Sequence, residues 1–223
     1  MDHRRTIVRG VLPLVALVLT AGCVQQDVRE VKSEMVTPDP QGRATVLELK
    51  IEKYHDLAKE FPDEPLYQER LARLYWLQRD HRKALRHVGK AIDLDPENDK
   101  YAYLKGTIYA GIGNYRLAKA SFRELLEGDG AEYTGPYMQL AEICMLEDNH
   151  VEARQYLQRC IEVDPQFPTP HYYLGAIALG QQENESAIEH FEQYLRLGSG
   201  PFQDKVLQTL RSLQPQMRVH HIR

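Results

Sequence analysis

Three cysteines and nine histidines are the side chains of this 223-residue chain best suited to chemistry. A thiol can serve as nucleophile, metal ligand, disulfide partner or acyl acceptor, and neighbours at fixed spacing decide which. Most of those roles lack their neighbours. The chain contains no HExxH, no Walker-type glycine loop, no GxSxG and no CxxC. The histidines after Cys23 are scattered. His81 and His150 stand at polar turns, where Tyr115 stands in a third such turn, which marks a packing position. No metal or non-covalent cofactor is expected. An enzyme whose nucleophile and base meet only in the fold remains an alternative. Cys144 and Cys160 would flank a helical hairpin turning near Asp148–His150. Cys144 then lies across from Arg154, and six residues at ~1.5 Å each put Cys160 ~9 Å further along. Bridged Cα atoms must come within ~7 Å, so two buried, reduced thiols are expected.

Cys23 has a different context. Arg4, Arg5 and Arg9 precede the apolar run VLPLVALVLTAG, which has the length of a signal segment rather than of a membrane span. The run closes on Leu19-Thr20-Ala21-Gly22-Cys23, which resembles a bacterial lipobox, with Thr20 where Leu is commoner. The resemblance implies a diacylated Cys23 as the first residue after cleavage. Several acyl chains at ~0.8 kcal/mol per buried methylene would hold it on a bilayer. In a Gram-negative source, Val24 in place of Asp implies the outer membrane, with the chain facing the periplasm. Val24–Arg43, polar and closed by Pro38, Pro40 and Gly42, reads as a tether. If the lipobox is misread, the alternative is a soluble adaptor.

The rest of the chain is one pattern written four times. Ala84, Ala118, Ala153 and Ala187 each follow a polar turn, and they are separated by 34, 35 and 34 residues. The first copy supplies Leu71, Ala72, Tyr75, Ala84, Val88, Ala91 and Pro96. The second has Gly106, Tyr109, Ala118 and Phe122, with Lys105 in place of Leu and Gly130 in place of the closing Pro. The third has Tyr137, Leu140, Ala141, Ala153, Leu157 and Pro165, with Cys144 for the aromatic. The fourth has Leu174, Gly175, Ala187 and Phe191, with Ala178 for the aromatic and no closing Pro. A two-helix unit of this period resembles the tetratricopeptide (TPR) repeat. The small residues suit close helix approach, and Gly106 or Gly175 is expected to face an Ala on the partner helix.

The fold expected from that resemblance is all-α: a TPR solenoid, a right-handed superhelix of antiparallel helix pairs with a capping helix at each end. Leu47, Ile51, Tyr54, Ala58 and Phe61 share one helical face that stops at Pro62, forming the N-terminal cap. Phe202, Val206, Leu210 and Leu213 form the C-terminal cap. The expected organisation is a lipoprotein-type signal peptide at 1–22 and the lipidated cysteine with its tether at 23–43. An N-terminal cap at 44–62 follows, then repeats at 65–98, 99–132, 134–167 and 168–200, a C-terminal cap at 201–214 and a loose tail at 215–223.

In TPR domains the first helices line a concave groove that holds partner segments. The resemblance places Glu69, Arg73, Trp76, Tyr103, Thr107, Ala110, Met138, Glu142, Met145, Tyr172, Ala176 and Leu179 there. For several of these, Ala110, Met145 and Leu179 above all, packing between adjacent first helices is the competing reading. Carboxylate-clamping relatives use Lys and Asn in such places, and this chain has neither, so that activity is expected to be absent. Trp, Tyr and Met suit an apolar or amphipathic protein segment. The formal charge is −4, of which residues 1–22 contribute +2 and the remainder −6. A mildly acidic body argues against nucleic acid as the main partner. TPR lipoproteins of this type include pilotin-like proteins of type IV pilus assembly, a component of the outer-membrane β-barrel assembly machine, and adaptors for peptidoglycan hydrolases. The function implied is a non-catalytic, membrane-anchored scaffold for envelope assembly, with the oligomeric state left open.

Overall fold

The structure, a computed structural model, describes residues 45–198 and 200–220. The expected signal peptide, Cys23 and the tether lie outside the described residues. All regular structure among the described residues is helical: α1 (Val46–Glu60), α2 (Pro65–Leu77), α3 (His81–Leu94), α4 (Asp99–Gly111), α5 (Tyr115–Leu126), α6 (Thr134–Leu146), α7 (His150–Val163), α8 (Thr169–Gly180), α9 (Asn184–Leu197) and α10 (Gln203–His220). A short 3-10 turn, Asp129–Glu132, stands where the second repeat lacks its closing proline. The chain forms two compact units, whose described parts run from 45 to 131 and from 132 to 220. In each, helices adjacent in sequence pack as neighbours.

Local chemistry sets the helix ends. Thr45 and Glu48 form a reciprocal capping box at α1: the Glu48 N–H donates to Thr45 Oγ1 at 3.3 Å and the Thr45 N–H to Glu48 Oε2 at 2.7 Å. Asp80, Asn114 and Asn149 accept from backbone N–H groups in the first turns of α3, α5 and α7. The turn before each of these second helices is one motif used four times. Arg79, Gly113, Asp148 and Gln182 take positive φ (65°, 78°, 57° and 65°), at the same spacing as the repeat alanines. The N–H of each following residue reaches back to the carbonyl of Tyr75, Tyr109, Cys144 or Ala178 at 2.8–2.9 Å, closing a Schellman turn. A side chain in this left-handed region costs about 1–2 kcal/mol, and glycine loses part of that advantage to chain entropy. Gln182→Gly is therefore expected to raise stability by up to about 1 kcal/mol, read as a higher thermal midpoint. Gly113→Ala should lower it by a similar amount.

Inside the helix pairs, Ala84, Ala118, Ala153 and Ala187 are fully buried. The two glycines differ from expectation. They face phenylalanine rings rather than alanines: a Cβ on Gly106 would lie 2.7 Å from Phe122 Cε1, and one on Gly175 2.7 Å from Phe191 Cδ1. The first and third repeats carry Ala72 and Ala141 at the equivalent small position and the slimmer Val88 and Leu157 opposite. Summed volume, and not smallness on both sides, is what these interfaces conserve from copy to copy.

The ends also depart from the sequence pattern. Of the proposed α1 stripe only Ile51 is buried; Leu47, Tyr54 and Ala58 are half-buried and Phe61 is 47% exposed. No first helix of its own repeat is described beside α1, and its face is covered from the α2 side. There His55 Nε2 is hydrogen-bonded to the Tyr75 hydroxyl at 2.8 Å, and His87 Nδ1 lies 2.9 Å from Gln68 Oε1. Burial pushes the His87 imidazole down to about 4. At the other end α10 begins at Gln203 and continues to His220, through the segment expected as a loose tail.

Candidate partner-binding surface

In the N-terminal unit the proposed lining residues rise from α2 and α4. Glu69 is buried and ion-paired to Arg73, one turn on, with the Arg70 guanidinium 3.6 Å from its second oxygen. Arg73 and Trp76 are half-exposed on the same stripe. The Trp76 indole reaches across to α4, where a Cβ on Gly111 would sit 3.3 Å from its Nε1. Glycine at that position lets the ring rest close to the α4 backbone. Tyr103 is half-exposed, its ring 5.5 Å from Phe122. Thr107 is buried, its hydroxyl donating to the Tyr103 carbonyl at 2.9 Å, and Ala110 is buried beside it. Arg73, Trp76 and Tyr103 are thus the members of this set that present side chain to solvent.

In the C-terminal unit the equivalent stripe is mostly covered. Met138, Glu142, Met145 and Tyr172 are all buried, while Ala176 and Leu179 are half-buried. Tyr172, expected in the groove, is 3% exposed. Its ring stacks on Phe202 at 3.9 Å with the planes 7° apart, because the segment leading into α10 folds over it. Glu142 is turned inward as well. Its carboxylate accepts from the Gln139 amide at 3.1 Å and from the Tyr173 hydroxyl at 3.3 Å, and burial pushes its pKa up to about 7.

The cysteines lie in the interior of this unit. Both are fully buried thiols; Cys160 Sγ donates to the Thr134 carbonyl at 3.6 Å, and burial pushes it up to about 12. His81 and His150 open α3 and α7, each with a buried Nδ1 that meets no partner. Among the described residues no group of three or more His, Cys, Asp or Glu is placed to hold a metal ion, and no helix is long and apolar enough to cross a membrane.

Sequence reasoning overlooked an aromatic corner in the N-terminal unit. Phe61 and Leu66 are 47% and 42% exposed, and the Tyr67 ring lies 6.0 Å from Phe61 and 6.4 Å from Tyr54. The run Phe61-Pro62-Asp63-Glu64-Pro65-Leu66-Tyr67 was its only signal, two prolines holding bulky residues on a tight turn.

A family model described as tetratricopeptide repeat matches residues 69–133 and 148–202. Among curated proteins, anaphase-promoting complex subunit 3 of Schizosaccharomyces pombe is 27% identical over 128 residues, covering 57% of this chain and 19% of that protein. The chain spans about a fifth of the length of this curated relative. Among solved structures, that of PilW, described as a widely conserved type IV pilus biogenesis factor, aligns over 92% of this chain and 93% of its own, with a TM-score of 0.62 and 18% identity. YrrB, described as a TPR protein with an unusual peptide-binding site, aligns over 75% and 85%, with a TM-score of 0.57 and 18% identity. At such identities the structural likeness establishes the fold and nothing finer. The two segments matched by the family model make up more than half of the chain, which belongs to the tetratricopeptide repeat family.

Proposed function

We propose that the chain is a non-catalytic adaptor that binds an apolar or amphipathic segment of a protein partner on the first helices of its repeats. Lipid on Cys23 holds it at a bacterial outer membrane, facing the periplasm, where it serves envelope assembly. The observation that carries the binding reading is the half-exposed set Arg73, Trp76 and Tyr103 on α2 and α4. An indole held by close contact with Gly111 loses little freedom on binding, and Trp, Tyr and Arg dominate binding hot spots. The peptide-binding site in YrrB's description and the pilus role in PilW's support the same reading. The anchor contributes by confining adaptor and partner to one surface, which raises their effective concentration.

A photo-crosslinking residue at Tyr103, introduced in the native host, should give one discrete adduct. Trp76→Ala should weaken partner capture by about 30-fold or more, a hot-spot loss of at least ~2 kcal/mol, with helicity unchanged. Adducts formed only from the exposed control position Val151 would overturn the assignment. The anchor is tested separately: incorporation of labelled palmitate should vanish in Cys23→Ala.

A further inference from the structure

Glu142, Gln139, Tyr173 and Cys160 form a buried polar cluster that partner binding does not use. Glu142 is 3% and Gln139 6% exposed. Both donors to the Glu142 carboxyl are neutral, the Gln139 amide on its own helix and the Tyr173 hydroxyl on α8. Among the described residues no cation pairs with this carboxyl. A bare carboxylate so placed is costly to bury. A second, independent feature points the same way: Gln139 Oε1 is buried and receives no donor. A buried amide oxygen without a donor forfeits a full hydrogen bond.

One proton resolves both. A neutral carboxylic acid and a primary amide form a two-bond ring, the amide N–H donating to one carboxyl oxygen and the acid O–H donating to the amide oxygen. The Tyr173 hydroxyl can donate to the carboxyl throughout. We propose that Glu142 is an acid switch: protonated, its carboxyl closes the ring with Gln139 and takes the Tyr173 hydroxyl without burying a charge, and its ionisation as pH rises breaks that ring and leaves an unpaired charge between α6 and α8 that destabilises the C-terminal unit.

The surrounding groups fit this direction. Burial is the largest effect on Glu142 and raises its pKa from 4.5 to about 7, against the smaller, lowering effects of Tyr173 and Gln139. From α7 the Cys160 thiol faces the cluster, itself pushed up to about 12 by burial and by the Glu142 charge. From α8 Tyr173 is raised as well, by burial and then by Glu142. Both therefore stay neutral where Glu142 titrates. A carboxyl raised on folding contributes stability that is full below the ordinary 4.5, is lost as pH rises from there through about 7, and changes no further above that. The half-buried or buried histidines act in the opposite sense. His55, His87, His171 and His190 are all lowered, each chiefly by burial, so their contribution is lost as pH falls below the ordinary imidazole range. The two effects oppose each other between about 4.5 and 6.5, and above the imidazole range only the Glu142 loss is still in progress.

The test uses the full chain. Near pH 6 ordinary carboxylates are ionised, so the infrared spectrum should retain one neutral-carboxyl C=O band that disappears towards pH 9 and is absent from Glu142→Gln. Tyr173→Phe, which removes a donor that favours the anion, should move that disappearance to higher pH. The thermal midpoint of the native chain should fall between pH 6 and pH 9, and Glu142→Gln should abolish most of that fall. A spectrum without a neutral-carboxyl band at pH 6 would overturn the proposal, as would a band that persists in Glu142→Gln. The infrared arms on the native chain and on Tyr173→Phe decide the matter even if Glu142→Gln fails to fold.

Discussion

Phe202→Ala is expected to lower stability by about 3–5 kcal/mol and to release α10 from the C-terminal unit. Phe202 is 6% exposed although it lies in the short segment before the helix. It stacks on Tyr172 at 3.9 Å and meets Tyr173 edge-on at 6.1 Å. Its backbone N–H donates to the Tyr194 hydroxyl at 3.0 Å, and Tyr194 is fully buried. The ring is therefore the inner end of an aromatic cluster that joins α8, α9 and the start of α10. Truncation leaves a cavity between three tyrosines, and Val206, Leu210 and Leu213 lose the fixed entrance that aligns them. Denaturant unfolding should report the loss, with hydrogen exchange accelerated along α10 first. Phe202→Leu keeps most of the volume and should cost less than about 1.5 kcal/mol. Equal losses for Ala and Leu would show that the aromatic contacts, not the filled volume, hold the cap. Freed Tyr172 would also become available to a partner, so any gain in capture by Phe202→Ala would mark the cap as covering a binding position.

The second large effect concerns Gly175 and Phe191. A Cβ at Gly175 would stand 2.7 Å from two atoms of the Phe191 ring, closer than van der Waals contact allows. Alanine normally favours a helix over glycine by about 1 kcal/mol, whereas overpacking costs about 1–3 kcal/mol. Gly175→Ala should thus lower stability by on the order of 1–2 kcal/mol despite the better helix former. The neighbouring repeat supplies the remedy, since Ala141 and Leu157 occupy these positions there with no exposure at all. Gly175→Ala combined with Phe191→Leu should recover most of the loss caused by the glycine change. A double-mutant cycle by denaturant unfolding measures the coupling, expected at about 1 kcal/mol or more. Additive losses would mean that the ring rotates away freely and that the glycine serves some other purpose.

Much of the fold could be read in the residues because the information is local. The spacing of Ala84, Ala118, Ala153 and Ala187 reappears in the structure as the spacing of four left-handed turn residues. Capping by Asp80, Asn114 and Asn149 and the helix stop before Pro62 follow from backbone hydrogen bonding over a few residues. The resemblance to TPR repeats likewise placed Arg73, Trp76 and Tyr103 on one side of α2 and α4. Solvent exposure along that side could not be read in the same way, because it depends on what other parts of the chain bring to it. Tyr172 looked as open as Tyr103, yet Phe202, thirty residues later, covers it. Glu142 looked like a charged groove residue, yet its carboxyl is turned onto Tyr173 of another helix. Phe61 looked like core, yet α1 leaves it at an open corner.

The amino-acid order alone determined the helices, their turns, the four-fold repetition and which residues share a helical face, since each rests on contacts within a few residues. Only the tertiary structure decided which of those faces are covered, which glycine receives a ring and which carboxyl loses its water. Burial is set by neighbours distant in sequence, and a one-helix pattern carries no record of their size or direction.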